Sequence, residues 1–398
     1  MTAITAARAG IKGILLLDSQ PKVGAKILMS GGTRCNLTNE NIETNDYEGE
    51  QKNIFRAVLA AFSSQKAVEF FEELGVSVVL EAGGKYFPST HSGRTVLEAL
   101  LAEVKKLGVD LENPKKVNNL IFQDEHFHVQ GKGFSYSSEA VALTPGGLSY
   151  PTTGSDGAGY GLAGFFGHKI VETTPALTPL LTDDPDWKTL TGLSLPVRLT
   201  FWEHGKKKIS FEGPFLFTHF GFSGPTALNI SRHWIRAKEK QGLKLTASFL
   251  PGWKEDDFCH KIIEAITQSP SLQIKSVLAE ALPGRFIEML LGKLRIPGTL
   301  VLNQLRKEQR EQLMKALFHF SLQVSGAVGY QKAEVTAGGI DLVEVDKATL
   351  ESKLRPGLFF AGELLDVDGR IGGFNFQWAW SSGFVAGWGI AQKLLQTK

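Results

Sequence analysis

RPGLFFAGELLDVDGRIGGFNFQWAWSSGFVAG, residues Arg355 to Gly387, passes from strand to glycine-rich loop to helix. Leu358-Phe359-Phe360-Ala361 has the length and composition of a buried parallel strand. Gly362-Glu363 ends that run. A loop follows, with carboxylates at Asp366 and Asp368 and with Gly369, Gly372 and Gly373 close together. From Asn375 the pattern is helical, with Trp378, Phe384 and Val385 as apolar positions and small residues between them. In open α/β sheets ligands sit at the carboxyl ends of strands. Paired glycines let the backbone approach a flat ligand, and free N–H groups at a helix start favour electron-rich oxygens. The same glycines would serve a tight turn that needs them for its own geometry. The loop by itself leaves both readings open.

The chain has 398 residues, a length that implies roughly two to three domains of ~150 residues. Hydrophobic residues make up 42%, enough for a substantial core. The formal net charge of +2 is too near balance to announce a nucleic-acid protein. Cys35 and Cys259 are far apart, which is no disulfide framework and fits a reducing compartment. No apolar run approaches ~18 residues, and the first residues lack the pattern of a signal peptide. The cytoplasm is therefore the expected location, with no membrane partner.

MTAITAARAG reads as an Ala-rich helix ending at Gly10, followed by the strand Ile14-Leu15-Leu16-Leu17 and then Asp18. Helix, strand and strand-end acid form the second half of a dinucleotide-binding unit, in which the acid takes ribose hydroxyls. An ordinary helix–strand pair with an acidic turn fits equally. The first half, a strand and its G-x-G-x-x-G turn, is expected just before Met1, so the chain either starts internally or lacks its pyrophosphate loop. In PKVGAKILMSGGTRCN, Gly24 and Lys26 precede a bend at Ser30-Gly31-Gly32, then Arg34, Cys35 and Asn36. Small polar residues at a bend suit a phosphate or a flat polar ring. Cys35 is a candidate acid or redox thiol if its surroundings lower its pKa, and otherwise an inert core residue.

Phe55 to Leu74 reads as a helix, Val76 to Leu80 as a strand, and GGKYFPSTH as a turn-rich loop. Arg94 to Leu107 is helical, and Val117–Phe122 with Phe127–Val129 make a hairpin. Ala140 to Leu143 is a buried strand closed by Thr144-Pro145-Gly146-Gly147. Gly159 to Gly164 matches G-x-G-x-x-G but follows no strand, so it reads as a glycine-bearing helix. Composition shifts around Pro175 to Pro185. Alternation over Pro196–Phe211 and Leu243–Phe249 predicts a small antiparallel unit. His219, in THFGFSGP at a helix start, is a candidate acid–base group or a structural histidine. Trp253 to Phe320 is helical, and AEVTAGGI at Ala333–Ile340 is one more strand running into paired glycines. The sequence carries no zinc spacing, nucleophile elbow or Walker loop. Lys206-Lys207-Lys208 and Arg232, Arg236, Lys238 and Lys240 are basic spots that read as solvated surface or as an RNA contact.

SGGTRCN, GGKYFP, GGLSYPTTGSDG, THFGFSGP, EVTAGGI and FFAGELLDVDGRIGGFNFQWAWSSG, in this order over nearly the whole chain, resemble the BaiN-like (YhiN-like) NAD(P)/FAD-dependent oxidoreductases. The resemblance implies an α/β fold: a glutathione-reductase-like FAD-binding domain, here N-terminally truncated, with an inserted β-barrel-like domain and a helical domain. The expected division is 1–178 and 333–398 for the FAD domain, 179–251 and 319–332 for the β-barrel-like insert, and 252–318 for the helical insert. Asp18 stands where the family holds the adenosine ribose, and Val117 where backbone meets adenine. Lys26, Gly31, Gly32 and Asn36 stand in the flavin-side loop. Glu363 lies near the ribityl chain or pyrophosphate, and Gly373, Phe374 and Asn375 face the isoalloxazine ring. Pro145 departs from the small polar residue expected before Gly146-Gly147.

The resemblance further implies FAD as cofactor, NAD(P)H as transient reductant and an activated C=C bond in a small molecule as acceptor. Cys35 and His219 are the candidates for the proton. Reduction of uracil in ribosomal RNA is the alternative within enzymes. A flavin-free remnant with a binding or structural role is the alternative outside them.

Overall fold

Leu358–Phe360 is fully buried, as an unbroken apolar run requires, and pairs in parallel with Val141–Leu143. Leu15–Leu17 pairs in parallel with Asp110–Glu112. The computed structural model describes all residues except Lys238, Lys240, Thr397 and Lys398, so two of the basic positions above lie outside the described residues. The chain divides into two compact units, residues 1–175 with 330–398, and residues 176–329.

The first unit is built around the helix Phe374–Gln396. Its Trp378 belongs to one apolar cluster, with Tyr47, Phe55 and Leu358 to Phe360. Its Trp380 belongs to another, with Ile4, Cys35, Leu37 and Phe71. The small residues between the tryptophans and the helix end have a steric cause. A Cβ on Gly387 would lie 2.5 Å from the carbonyl oxygen of Thr2, so the helix Thr2–Arg8 packs directly on this backbone.

Several local expectations are corrected. The helical stretch from Phe55 to Leu74 is two helices, Lys52–Ala61 and Ser64–Glu73. Ser63 caps the second by accepting the Lys66 N–H at 3.3 Å, which ends the first at Phe62. Lys85–Pro88 is the central strand of a three-stranded sheet with Thr38–Asn39 and Val78–Glu81, where a loop was expected. The hairpin at Val117 gains a third strand, Phe134–Ser138. The glycine-bearing segment Ala158–Phe165 is a helix, as expected.

The second unit contains a seven-stranded antiparallel sheet among the described residues. Ser194–Glu203 and Lys206–Phe217 form its long hairpin. Phe320–Leu322 and Gly326–Ala327 stand at the two ends of its strand order and are separated in sequence only by Gln323, Val324 and Ser325, so the sheet bends round to bring its ends near each other. Phe258, Phe286, Leu290, Leu313 and Leu317 from the helices share one core with Trp187, Phe217 and Phe249. No helix among the described residues is long and apolar enough to cross a membrane.

One buried charge in the first unit yields a pH prediction. Glu103 is 5% exposed and accepts Arg8 Nη2–H at 2.7 Å and Nε–H at 2.9 Å. Burial alone would raise the Glu103 pKa, but the Arg8 guanidinium outweighs it and holds the carboxyl below its ordinary 4.5. A carboxyl depressed in the folded state stabilises above its unfolded pKa. That contribution is lost as pH falls below 4.5 and through the folded value. Arg8→Met is expected to cost about 2 kcal/mol at neutral pH, allowing for water at the half-exposed Arg8. It should also weaken the local pH trend, because Lys106, 3.5 Å from Glu103, then remains as its cationic partner. Denaturant unfolding of both proteins at pH 4 and pH 7 checks this.

Candidate functional site

The loops that follow the parallel strands Leu15–Leu17, Val141–Leu143 and Leu358–Phe360 meet one another: a Cβ on Gly154 would lie 3.0 Å from the Gln20 side chain, and Lys26 pairs with Glu363. After Leu17, the Asp18 N–H bonds the Glu112 carbonyl at 3.1 Å, and the Asp18 carboxylate accepts the Gln20 N–H at 2.7 Å. The Asp18 carbonyl accepts the Lys115 N–H at 2.7 Å, which brings half-buried Val117, two residues on, to the same strand end. Asn113 Nδ2 ties this loop to the Gln20 and Pro21 carbonyls at 3.2 and 2.8 Å.

At the other strand pair, Lys26 leaves the short helix Ala25–Met29 and forms an ion pair with Glu363. The second oxygen of Glu363 accepts the Thr336 N–H at 2.9 Å. Thr336 Oγ1 in turn accepts the Leu148 N–H at 2.8 Å and lies 3.0 Å from Ser149 Oγ. A Cβ on Gly147 would stand 2.5 Å from Thr336 Oγ1 and 2.9 Å from Glu363 Oε1. The bend at Gly146-Gly147 is thus shaped to the Glu363 carboxylate. The unexpected Pro145 packs on Gly159, whose Cβ would lie 2.4 Å from the proline ring.

The bend through Gly31 and Gly32 has φ of +55° and +67°. It leads to Asn36, whose Oδ1 is buried and without a hydrogen-bond partner. That oxygen lies 2.9 Å from where a Cβ of Gly373 would be. Gly373 itself has φ +97°, and a Cβ added to it would lie 2.5 Å from the Thr38 carbonyl. Asn39 Nδ2 donates to the Gly372 carbonyl at 3.0 Å and to that of Gly83 at 3.1 Å. Glycine is needed here so that two loops can touch backbone to backbone.

Phe374 and Asn375 do not point their side chains at a ligand. The Phe374 ring is 1% exposed and meets Tyr47 edge-on at 6.2 Å, and the Phe374 carbonyl accepts the Tyr47 Oη–H at 2.9 Å. Asn375 bonds both backbone groups of Gly369, at 2.8 and 2.9 Å. Their side chains hold the loop, and the helix-start N–H groups remain for a ligand.

Cys35 leaves the catalytic candidates. It is fully buried in the cluster around Ile4 and Trp380, and burial pushes its thiol up to about 12. A thiol reagent at pH 8 is expected to modify the half-buried Cys259 in the native chain and to reach Cys35 at the unfolding rate. Mass spectrometry of peptides from timed samples reads both. Rapid native labelling of Cys35 is the contrary result. His219 is exposed and belongs to the second unit, in the tight turn where Thr218 and Gly221 bond each other's backbone.

Three residues near these loops escaped the sequence reading. Tyr160 has a buried hydroxyl with no hydrogen-bond partner, and burial together with Glu363, Tyr330 and Asp366 raises its pKa. Glu334 and Tyr150 lie in motifs that were read for their glycines alone. The signal available was a carboxylate and a tyrosine inside otherwise apolar, glycine-rich segments.

The HI0933-like protein Rossmann domain family matches residues 1–389. A ribosomal RNA dihydrouridine synthase of Escherichia coli K12 is 33% identical over 396 residues, covering 99% of this chain and 94% of its own. A 3-dehydro-bile acid delta(4,6)-reductase of Clostridium scindens is 31% identical over 395 residues, covering 99% and 96%. A ribosomal RNA dihydrouridine synthase of Haemophilus influenzae is 30% identical over 388 residues, covering 96% and 93%.

Proposed function

Because the chain belongs to the HI0933-like Rossmann domain family, we propose that it is an FAD-dependent oxidoreductase that reduces an activated C=C bond, with NAD(P)H as the reductant. The observation that carries the reading is the cradle between Lys26–Glu363 and the glycine bends. Its donor set fits a flavin nucleotide. The lone acceptor Asn36 Oδ1 suits a ring N–H, and the lone hydroxyl of Tyr160 suits a polar group of the ribityl or phosphate chain. Asp18 would take the ribose hydroxyls, and Val117 would meet the adenine through its backbone. Gly31, Gly32 and Gly373 leave room for a flat ring beside the helix start, whose N–H groups favour negative charge. Phe374 and Asn375 keep that bend in shape.

FAD, when bound, supplies a two-electron hydride donor. The protein's part is to orient the acceptor and to exclude side reactions. The names of the relatives support the reaction class. A delta(4,6)-reductase and a dihydrouridine synthase both describe saturation of a ring double bond conjugated to a carbonyl.

The test is the visible absorbance of the purified chain with added FAD, then with a nicotinamide and a conjugated ketone. Flavin bands that bleach with NADH or NADPH and return with the ketone support the reading. A chain that retains no flavin overturns it and leaves the binding or structural alternative. A second reading, uracil in ribosomal RNA as the acceptor, is favoured by two of the three relatives and by exposed Lys206, Lys207 and Lys208 on the hairpin of the second unit. Retention of ribosomal RNA fragments should then fall steeply with salt, since phosphate contacts release counterions. No retention at low salt removes that reading.

A further inference from the structure

Saturating a conjugated double bond takes a proton as well as a hydride, and the Cys35 thiol is fully buried with its pKa pushed up to about 12. Glu334 stands two residues before Thr336, whose N–H is held by Glu363. The Glu334 side chain is open to solvent, yet enough protein gathers round it for desolvation to raise its pKa, against the opposite pull of Lys85 and Lys26.

The charges of those two lysines reach Glu334 from two segments of the cradle. Lys26 is ion-paired with Glu363 at the strand end. Lys85 is the strand partner of Asn39, the residue that holds the Gly372 carbonyl at the glycine bend. Tyr150 joins them. Its N–H bonds the Tyr330 carbonyl at 3.0 Å, and its phenol is raised by burial and by the Glu334 charge. Among the described residues neither the Glu334 carboxyl nor the Tyr150 hydroxyl is engaged in a hydrogen bond or ion pair. Ser149 Oγ, on the residue before Tyr150, lies 3.0 Å from Thr336 Oγ1, two residues after Glu334, so the loop that carries the phenol runs beside the strand start that carries the carboxyl.

We propose that Glu334, with Tyr150 beside it, donates the proton to the carbon next to the carbonyl when the double bond is reduced. This rests on the reading given under Proposed function. Bound FAD, once reduced, would supply the hydride for the C–H bond at the far carbon, and the π pair would move to the carbon adjacent to the carbonyl. The Glu334 O–H bond breaks, its proton joins that carbon, and its electron pair stays on the carboxylate. Tyr150 donates a hydrogen bond to the carboxylate so formed. Water restores the proton. A carboxyl whose proton is held more tightly through desolvation is suited to this role.

The experiment uses the full chain loaded with FAD, in wild-type, Glu334→Gln and Tyr150→Phe forms. Cyclohexenone is the carbon acceptor. Ferricyanide is the control, because it takes electrons without a carbon-bound proton. Glu334→Gln should slow cyclohexenone reduction by about 100-fold or more, a far larger loss than in ferricyanide reduction. Tyr150→Phe should slow cyclohexenone reduction by a smaller factor. Infrared titration of the chain without flavin supplies an independent readout. A protonated-carboxyl band persisting above the usual carboxylate range should vanish in Glu334→Gln. An unchanged cyclohexenone rate, an equal loss with both acceptors, or an unchanged infrared band each overturns the assignment. If the wild type takes up flavin but reduces no conjugated acceptor, the reading of the function fails first, and this assignment with it.

Discussion

Gly373→Val is expected to destabilise the first unit by about 4 kcal/mol or more, a large share of what a domain has. The glycine has φ +97°, outside the range of a β-branched residue, which costs about 1–3 kcal/mol. The added Cβ would also lie 2.5 Å from the Thr38 carbonyl, and backbone there cannot swing aside like a flexible side chain. Moving Thr38 breaks its buried 2.6 Å bond to Gln377 Oε1, and Gln377 in turn holds the Phe62 carbonyl at 2.8 Å. Gly32→Ala is the control. Its φ of +67° is also left-handed, but nothing lies within 4 Å of its Cβ, so only the backbone cost of about 1 kcal/mol applies. Denaturant unfolding of both variants separates conformational strain from collision. Equal losses would mean that the close approach to Thr38 does not matter.

That contrast marks what could be read from the residues. Glycine clusters announced strand-end bends, and the apolar run at Leu358 announced a buried parallel strand, because both follow from local chemistry. Which glycines face a ligand and which face another loop depends on the partner across the gap. Thr38 is 335 positions before Gly373 in this numbering, and no local pattern links them. Asn375 shows the same limit. A polar residue at a helix start reads as ligand-facing, yet its amide is spent on both backbone groups of Gly369. Glu334 is the converse case. Its meaning comes from Lys26 and Lys85, which reach it from distant segments, so a strand-edge carboxylate looked ordinary.

Trp378→Ala is expected to cost about 4 kcal/mol, as the loss of a large buried aromatic side chain does. The ring is 2% exposed and packs against Phe55 at 5.7 Å and Tyr47 at 6.2 Å. Its second role ties the core to the cradle. Trp378 Nε1–H donates to the Gly362 carbonyl at 3.1 Å, and the Gly362 N–H is accepted by Ser382 Oγ at 2.9 Å. Two residues one helical turn apart thus grip both backbone groups of Gly362, the residue before Glu363. The helix fixes the turn, and the turn aims the carboxylate at Lys26 and at the Thr336 N–H. Trp378→Phe keeps most of the apolar contact and removes the N–H, leaving a buried carbonyl short of a donor. That should cost about 1–2 kcal/mol of stability. If the aim of Glu363 governs the cofactor, Trp378→Phe should also weaken FAD binding by about tenfold, an effect of about 1.4 kcal/mol. Calorimetry for stability and flavin titration for affinity read the two effects separately. A loss of stability with unchanged flavin affinity would confine Trp378 to the core and leave Glu363 positioned by Lys26 and Thr336 alone.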